Sequence, residues 1–257
     1  MKLTAQYHAF RTILLKEIKR FMRIWVQTVL PAGITMALYF IIFGNLIGSQ
    51  LADIKGYRYI DYIVPGIILM AVINNSYANV VASFFNSKFQ RHIEEMLISP
   101  MPSHLIIVGY VSGGVARGMV VGTVVTLVST FFVDLHVSNF LLAVLVLILT
   151  AVLFALAGFI NAVYARSFDD ISIIPTFVLT PLTYLGGVFY SIEMLPPFWQ
   201  SVSLGNPILY MVNAMRYGVL GVSDINIYTA ISIILIFITV LYILAWQLLK
   251  RGIGVRS

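Results

Sequence analysis

The sequence has no cysteine and few charged residues. Without cysteine, neither a disulfide framework nor a thiolate metal site is possible. Charged residues make up 10% of the 257 residues, whereas an ordinary soluble domain is roughly a quarter charged. Hydrophobic residues make up 60%, more than a soluble fold of this length can bury. A soluble enzyme, a nucleic-acid-binding protein and a disordered linker are therefore excluded.

The motifs of several kinds of active site are also missing. The sequence contains no G-x-x-x-x-G-K-[ST] or G-x-G-x-x-G phosphate-binding loop. Its four histidines show no metal-ligand spacing, and no nucleophile has a convincing partner base. We therefore expect no catalytic, cofactor-binding or metal-binding residues, and no enzymatic activity in this chain.

Long apolar runs dominate the sequence. A helix needs about 20 mostly apolar residues to cross a bilayer, and six runs meet this length approximately. Residues 1–23 lack the apolar core and cleavage site of a signal peptide, so we expect no cleavable signal. The sequence therefore predicts an all-α integral membrane protein with six transmembrane helices. The predicted spans are Ile24–Ile47, Tyr62–Phe85, Leu105–Val133, Phe140–Val163, Ile173–Tyr190 and Ile227–Leu249.

The basic residues predict the orientation of these spans. Cytoplasmic segments of membrane proteins carry an excess of lysine and arginine. Twelve of the sixteen basic residues would lie on one side, three would lie on the other, and Arg117 falls inside the third span. With an even number of spans, both termini are expected in the cytoplasm. The twelve are Lys2, Arg11, Lys16, Lys19, Arg20, Arg23, Lys88, Arg91, Arg166, Lys250, Arg251 and Arg256, and the three are Lys55, Arg58 and Arg216.

Residues 1–23 have the pattern of a basic amphipathic helix. Apolar side chains recur at steps of three and four, and basic side chains mostly occupy the other faces. Such a helix suits the inner headgroup plane of the membrane. It either anchors the first span only or also contacts a cytoplasmic partner. The apolar stripe is Leu3, Tyr7, Phe10, Leu14, Ile18 and Phe21.

The loop 86–104 predicts a second, shorter amphipathic helix. Phe89, Ile93, Met96 and Leu97 share one face, and Pro100 and Pro102 end the helix before the third span. The polar remainder includes two adjacent carboxylates. This element is either a solvated connector or a docking helix that receives force from another subunit. Its polar residues are Gln90, Arg91, Glu94 and Glu95.

Small and polar residues mark the second and third spans. The third span contains glycines four residues apart, which let helix backbones approach closely in lipid. Their partner is either another span or a second copy of the chain. Arg117 either lines a translocation path or pairs structurally, since an ionisable group at this depth faces protein or water. Asn75, Asn79 and Ser83 share one face of the second span, where they bond across helices or line a polar route.

Residues 191–222 are apolar and aromatic but broken by proline, glycine and asparagine. Proline interrupts a helix and disfavours helical geometry in the residue before it. A loop with interfacial aromatic residues and a seventh span are both possible readings. We favour two short helices that dip into the outer leaflet, where protein must satisfy any non-helical backbone. The interrupting residues are Pro196, Pro197, Gly205, Asn206 and Pro207.

No predicted span has an acidic residue in its middle. A proton- or sodium-coupled carrier usually needs membrane carboxylates, although backbone carbonyls can also coordinate sodium. If the protein moves a solute uphill, we therefore expect its energy to come from outside the chain.

Two stretches resemble ABC transporter permeases of type 2. PLTYLGGVFYSIEMLPPFWQSVSLGNPILYMVNAMRYGVLG, residues 181–221, is similar to the C-terminal signature of that family. FQRHIEEMLISPMP, residues 89–102, is similar to its cytoplasmic coupling-helix segment. The resemblance implies a permease homodimer in membrane lipid, seated on two copies of a separate ATP-binding subunit. Such permeases export polysaccharides, lipid-linked intermediates, drugs and other amphipathic compounds.

The resemblance also assigns roles to segments of this chain. It implies an interface helix at 1–23, a transmembrane domain at 24–250, a cytoplasmic tail at 251–257 and a location in the inner membrane. The alternative functions are a secondary transporter or channel that acts alone and, further from the pattern, a membrane enzyme or scaffold. The implied ATPase-docking residues are Phe89, Arg91, Glu94, Glu95, Met96 and Leu97. The implied re-entrant helices include Pro196, Pro197, Trp199, Asn206, Pro207 and Arg216.

Overall fold

The structure, a computed structural model, describes residues 3–99 and 101–254. Lys2, Pro100, Arg256 and the last three residues of the predicted tail lie outside the described residues. The described part is helical, as predicted. Its α-helices are α1 (Leu3–Arg23), α2 (Trp25–Thr28), α3 (Leu30–Tyr39), α4 (Tyr59–Phe89), α5 (His92–Ile98), α6 (Ser103–Ser129), α7 (Phe140–Tyr164), α8 (Asp170–Ile174), α9 (Thr180–Leu185), α10 (Pro197–Leu204), α11 (Pro207–Leu220) and α12 (Ile227–Arg251).

Five helical runs in the described residues are long and apolar enough to cross a membrane. The first, Trp25–Gly44, joins α2 and α3 to the start of a π-helical stretch, Phe40–Ile47. The others are α4, α6, α7 and α12, each within a few residues of a predicted span. Five of the six predicted spans therefore have a matching helix.

The predicted fifth span, Ile173–Tyr190, has a shorter counterpart. The helical run Asp170–Leu185 consists of α8, a π-helical turn at Pro175–Leu179 and α9. At 1.5 Å per residue its 16 residues measure about 24 Å, less than the roughly 30 Å of a bilayer core. Two glycines stop it, since Gly186 caps α9 and Gly187 adopts a φ of +73°. A sixth full-length span is thus not confirmed.

Helix α4 lies at the centre of the molecule. Within its most apolar stretch, 78% of the residues are buried, against 11% for α12. It packs against α6 on one side and α7 on another, and α11 also contacts it. Its first turn carries Asp61, whose negative charge complements the positive end of the helix dipole.

The bundle has two distinct ends. At one end, which we call the α5 end, Lys88 donates hydrogen bonds to the carbonyls of Val163 (2.6 Å) and Ala165 (2.7 Å). Gly254, near the C-terminus, also contacts Val163. At the opposite end, the backbone of Ser138 bonds to the carbonyl of Val219, next to the loop that precedes α12. The described C-terminus therefore lies at the α5 end.

Residues 191–222 contain two short α-helices, α10 and α11, and their insertion into the outer leaflet stays a prediction. Helix α10 ends at Leu204, and the side chain of Asn206 then caps α11 by accepting a hydrogen bond from the Ile208 amide at 3.0 Å. Pro207 occupies the first position of α11, where its missing N–H costs no hydrogen bond. Gly221 ends α11 in the left-handed conformation (φ +77°). The predicted break points are thus the actual helix boundaries.

Candidate functional site

The glycines of α6 form a groove that receives α1. A Cβ on Gly109 would lie 2.6 Å from the Ile13 side chain, and one on Gly113 would lie 2.5 Å from the Cβ of Glu17. Since residues 13 and 17 meet residues 109 and 113 in order, α1 runs alongside α6 in the same direction. The N-terminal half of α1 is therefore directed towards the α5 end, the same end as the C-terminus.

The remaining glycines of α6 face α4. A Cβ on Gly114 would lie 2.5 Å from Val80, and one on Gly122 would lie 2.7 Å from Val72. Gly118 between them gives room to Ser76. The sequence left open whether this stripe meets another part of the chain or a second copy. In the structure both of its faces meet helices of the same chain.

The buried side of α1 carries a carboxylate. Ile13, Glu17 and Phe21 are buried, while Leu3 and Tyr7 of the predicted apolar stripe are exposed. Ser83 of α4 donates a hydrogen bond to Glu17 Oε1 at 2.6 Å, and Arg20 lies 3.3 Å from Oε2. Sequence analysis did not single out Glu17. Its position, four residues from both Ile13 and Phe21, was the available signal for an inward-facing carboxylate.

Arg20 joins α1 to α4 at a second point. Its Nη2 donates hydrogen bonds to the backbone carbonyl of Asn79 at 3.0 Å and to the Asn79 side chain at 2.7 Å. Asn79 and Ser83 are both buried. These two predicted path residues therefore hold α1 against the second span, and neither faces open space.

Arg117 and Asn75 form the next pair along α4. Arg117 donates from Nε (3.3 Å) and Nη2 (3.1 Å) to Asn75 Oδ1. Arg117 follows the start of α6 by fourteen residues, or about 21 Å, which places it near the middle of that helix. Both side chains are half-buried. They are the two predicted path residues that remain reachable from outside the protomer.

A stripe of small and polar residues is exposed next to this pair. Along α4, Asn74, Ala82 and Asn86 are exposed and Ala78 is half-buried, at steps of four that place all four on one helix face. Neighbouring α4 residues are mostly buried. Amide side chains are costly to expose to hydrocarbon without hydrogen bonds, so this α4 stripe suits water or protein better than lipid.

Helix α5 follows α4 after a break of two residues. Arg91 adopts a left-handed conformation (φ +61°), which separates the two helices. Ile93 is buried, Met96 and Leu97 are half-buried against the core, and Phe89 contacts the Phe168 ring at 5.3 Å. Exposed side chains on this segment are Phe89, Gln90, Arg91, His92, Glu95 and Ile98. The segment thus combines an apolar anchor with an accessible outer surface.

At the end of the bundle opposite the α5 end, Arg216 of α11 is buried, with 1% of its surface exposed. Its guanidinium lies 3.8 Å from the ring centre of Tyr62 and donates to the carbonyl of Gly187 at 2.8 Å. It also lies 3.9 Å from Asp224. Arg216 thereby joins α11, α4 and the turn after α9, a role that sequence analysis did not predict.

Asp224 joins several segments at this end of the bundle through ion pairs and hydrogen bonds. It forms an ion pair with Lys55 and accepts hydrogen bonds from the Ser191 hydroxyl (3.0 Å) and the Ile192 amide (3.3 Å). Burial alone would raise the pKa of Asp224, but the Lys55 hydrogen bond and the Arg216 charge hold that pKa below its usual value. Burial would likewise lower the pKa of Lys55, and the hydrogen bond and charge of Asp224 raise it instead.

Other residues of the predicted re-entrant segment have structural positions. Pro196 and Pro197 begin α10, and Trp199 is exposed on it. Asn206 also donates to the Leu182 carbonyl at 2.6 Å, which ties the start of α11 to α9. The segment is therefore anchored to the bundle chiefly through α11.

An apolar cavity of about 530 Å³ lies between α1, α6, α7 and α12. Phe10, Leu14 and Ile18 of the predicted amphipathic stripe line it, opposite Ile238 and Tyr242 of α12. The middle of the predicted apolar stripe therefore lines an apolar cavity, whereas Ile13 and Glu17, which lie outside that stripe, contact α6.

The comparison with protein families agrees with this architecture. The family described as ABC-2 type transporter matches residues 8–220, which include most of α1, the α4 stripe, α5 and α11. The chain belongs to this family. ABC-2 proteins of this kind are transport permeases, and the present one has several helices suited to a membrane.

This ABC-2 permease is similar in sequence to proteins that have names. It is 58% identical over 249 residues, 97% of both chains, to "Inner membrane transport permease YadH" of Escherichia coli (strain K12). It is 24% identical over 215 residues, 83% of both chains, to "Nodulation protein J" of Rhizobium leguminosarum bv. viciae. The resemblance expected from residues 89–102 and 181–221 is thus confirmed.

Proposed function

We propose that the chain is the membrane-spanning subunit of an exporter driven by a separate ATP-binding subunit. The observation that carries the proposal is the family match over residues 8–220. The sequence has no phosphate-binding loop of its own, so ATP would be bound and hydrolysed by a partner.

The proposed docking surface is α5 together with the N-terminal part of α1. Glu95 and Ile98 are exposed on α5, and Ile98 has 86% of its surface accessible. An exposed isoleucine beside a carboxylate offers both apolar area and a charge to a partner. Movement is transmitted only if this contact differs between the states of the ATPase.

We also propose that two copies of the chain enclose the path. The α4 stripe is polar and exposed at the level of the spans, so a second copy or a water-filled path would cover it in place of lipid. Arg117 and Asn75 would then line the path, while Asn79 and Ser83 would lie behind it and hold α1.

The expected substrate is an amphipathic, lipidic or polysaccharide-type compound moved outwards. The proposed setting is the inner membrane with both termini in the cytoplasm, supported by the name of the 58% identical relative and by the distribution of lysine and arginine.

Co-purification tests the central claim. The chain, expressed in its own host with a terminal tag and extracted in mild detergent, should carry an ATP-binding subunit in a one-to-one ratio. Its reconstituted complex should hydrolyse ATP, and transport should stop when the ATPase is omitted. Transport by the chain alone, driven by an ion gradient, would favour the self-sufficient carrier and remove the proposal.

A further inference from the structure

Three hydrogen-bond donors without acceptors gather where α1, α4 and α6 meet. Among the buried polar side-chain atoms of the described residues, Arg20 Nε and Asn79 Nδ2 have no hydrogen-bond partner. Arg117 uses Nε and Nη2 on Asn75, and none of the described residues accepts a hydrogen bond from its Nη1. Arg20 Nε and Asn79 Nδ2 are buried, and buried donors normally find an acceptor, so this pair beside Arg117 needs an explanation.

The same place carries an uncompensated positive charge. Glu17 lies 3.3 Å from Arg20, but none of the described carboxylates lies within 4.0 Å of Arg117. Arg20 binds Asn79 and Arg117 binds Asn75, and these two asparagines are about one helical turn apart on α4. One carboxylate therefore faces two guanidinium groups at the level of the bundle, where an unpaired charge is costly.

The geometry suits one anionic group held between two arginines. The partners of the two guanidinium groups, Asn75 and Asn79, are four residues apart on α4, a rise of about 6 Å. Guanidinium groups bind phosphate and carboxylate oxygens in paired, charge-assisted hydrogen bonds. Arg117 and Asn75 are half-buried and Asn74 beside them is exposed, so the site can be reached from the α4 stripe.

We propose that Arg117, Arg20 and the amide of Asn75 bind the anionic group, a phosphate, sulfate or carboxylate, of an amphipathic substrate, while buried Asn79 holds Arg20 from behind. The inference rests on the exporter function proposed above and adds the charge class of the cargo to it. The fixed link from Glu17 to Ser83 holds α1, and therefore Arg20, in position for this contact.

Binding of a simple amphipathic anion tests the proposal. The full chain, in nanodiscs of phosphatidylcholine, is titrated with radiolabelled dodecyl phosphate. Wild type should bind it, and neither dodecyl maltoside nor inorganic phosphate should compete at equal concentration. Arg117→Gln should weaken binding by about tenfold or more, the effect of losing a charge-assisted hydrogen bond.

A second variant keeps the test decisive if Arg117→Gln folds poorly. Asn75→Asp is nearly isosteric and places a carboxylate against Arg117, so it should keep the fold and weaken dodecyl phosphate binding by about tenfold. Arg11→Gln removes an exposed positive charge from α1 and should change binding by less than about twofold.

Several outcomes would overturn the proposal. Wild-type binding in both Arg117→Gln and Asn75→Asp would give these residues a structural role only. Complete displacement by phosphatidylglycerol in the nanodisc would assign the site to bilayer lipid, and equal competition by inorganic phosphate would assign it to a free ion. Failure of the ATPase to co-purify would remove the exporter function yet leave these binding results readable.

Discussion

At the scale of single residues, glycine and carboxylate positions decide how the helices meet. Gly113 is needed because the Cβ of Glu17 occupies the space beside it, and Glu17 is tolerated because Ser83 and Arg20 satisfy both of its oxygens. A buried carboxylate without such partners would be strongly destabilising. The N-terminal helix is therefore attached by a close backbone approach and by a satisfied polar contact together.

Adding one methyl group at Gly113 should loosen this attachment. The new Cβ would approach Glu17 Cβ to 2.5 Å, so we expect Gly113→Ala to destabilise the protein by about 1–3 kcal/mol. The matched control is Gly33→Ala, whose Cβ would meet Val124 at an ordinary 3.8 Å. Thermal unfolding in detergent measures both. Equal midpoints for the two variants would show that α1 does not depend on the groove.

Asp224 should matter far more than its neighbour Glu193. Asp224→Asn leaves buried Arg216 without its carboxylate, and we expect a loss of about 3 kcal/mol. Glu193 also pairs with Lys55, but it is 68% exposed, so Glu193→Gln should change stability by less than about 1 kcal/mol. Denaturation of both variants in the same detergent compares them, and similar losses would argue against the central role of Asp224.

The ion pair between Asp224 and Lys55 should stabilise the protein equally over a wide range of pH. Because the pKa of Asp224 is lowered, its contribution is present above the usual 3.8 and fades only as the pH falls through the lower folded value. Because the pKa of Lys55 is raised, its contribution is present below 10.5 and fades only above that. The stability difference between wild type and Asp224→Asn should therefore stay constant from about pH 5 to about pH 9. A difference that shrinks by pH 5 would contradict this assignment.

Among the secondary-structure elements, the short helix α5 has one face packed against the bundle and another face exposed to a possible contact. Ile93 anchors α5 while Glu95 and Ile98 face outwards, and the left-handed Arg91 fixes the angle between α4 and α5. A push on α5 would thus be transmitted directly to α4, the most buried helix of the bundle.

Charge reversal on α5 tests this transmission. Glu94→Lys with Glu95→Lys should preserve membrane insertion and thermal stability but separate ATP hydrolysis from transport in the reconstituted complex. Asp53→Lys with Asp134→Lys makes the same change in net charge at exposed sites of the opposite end and should leave coupling intact. Wild-type coupling in the α5 double variant would remove α5 from the proposed docking surface.

At the scale of the whole molecule, the exposed surface has two characters. The outer face of α12 exposes mostly aliphatic and aromatic side chains, which suit lipid, whereas the α4 stripe exposes Asn74 and Asn86. The run Asp170–Leu185 is also largely exposed, with Phe177 at 73%. These surfaces divide the protomer into a side suited to lipid and a side suited to water or a second copy.

Because the sequence has no cysteine, a single introduced cysteine can be labelled with no reaction elsewhere in the chain. Labelling therefore tests which surface meets water and which meets lipid. Ala82→Cys on the α4 stripe should react with a membrane-impermeant, water-soluble thiol reagent in open vesicles. Ile236→Cys, exposed on α12, should react slowly because it faces hydrocarbon, where the thiolate does not form. Equal labelling of the two cysteines would contradict the proposed path.

The class of protein, four long spans to within four residues at each end, the breaks at Asn206 and Pro207, and the family were all readable from the sequence. These features depend on local composition, periodicity and backbone chemistry, which are readable along one chain. Three-dimensional contacts were needed to show that α1 lies in the glycine groove, that Asn79 and Ser83 bind α1, and that Lys55, Asp224 and Arg216 meet. Those contacts join residues far apart in sequence, and a hydrogen-bonding side chain carries no local record of which distant partner satisfies it.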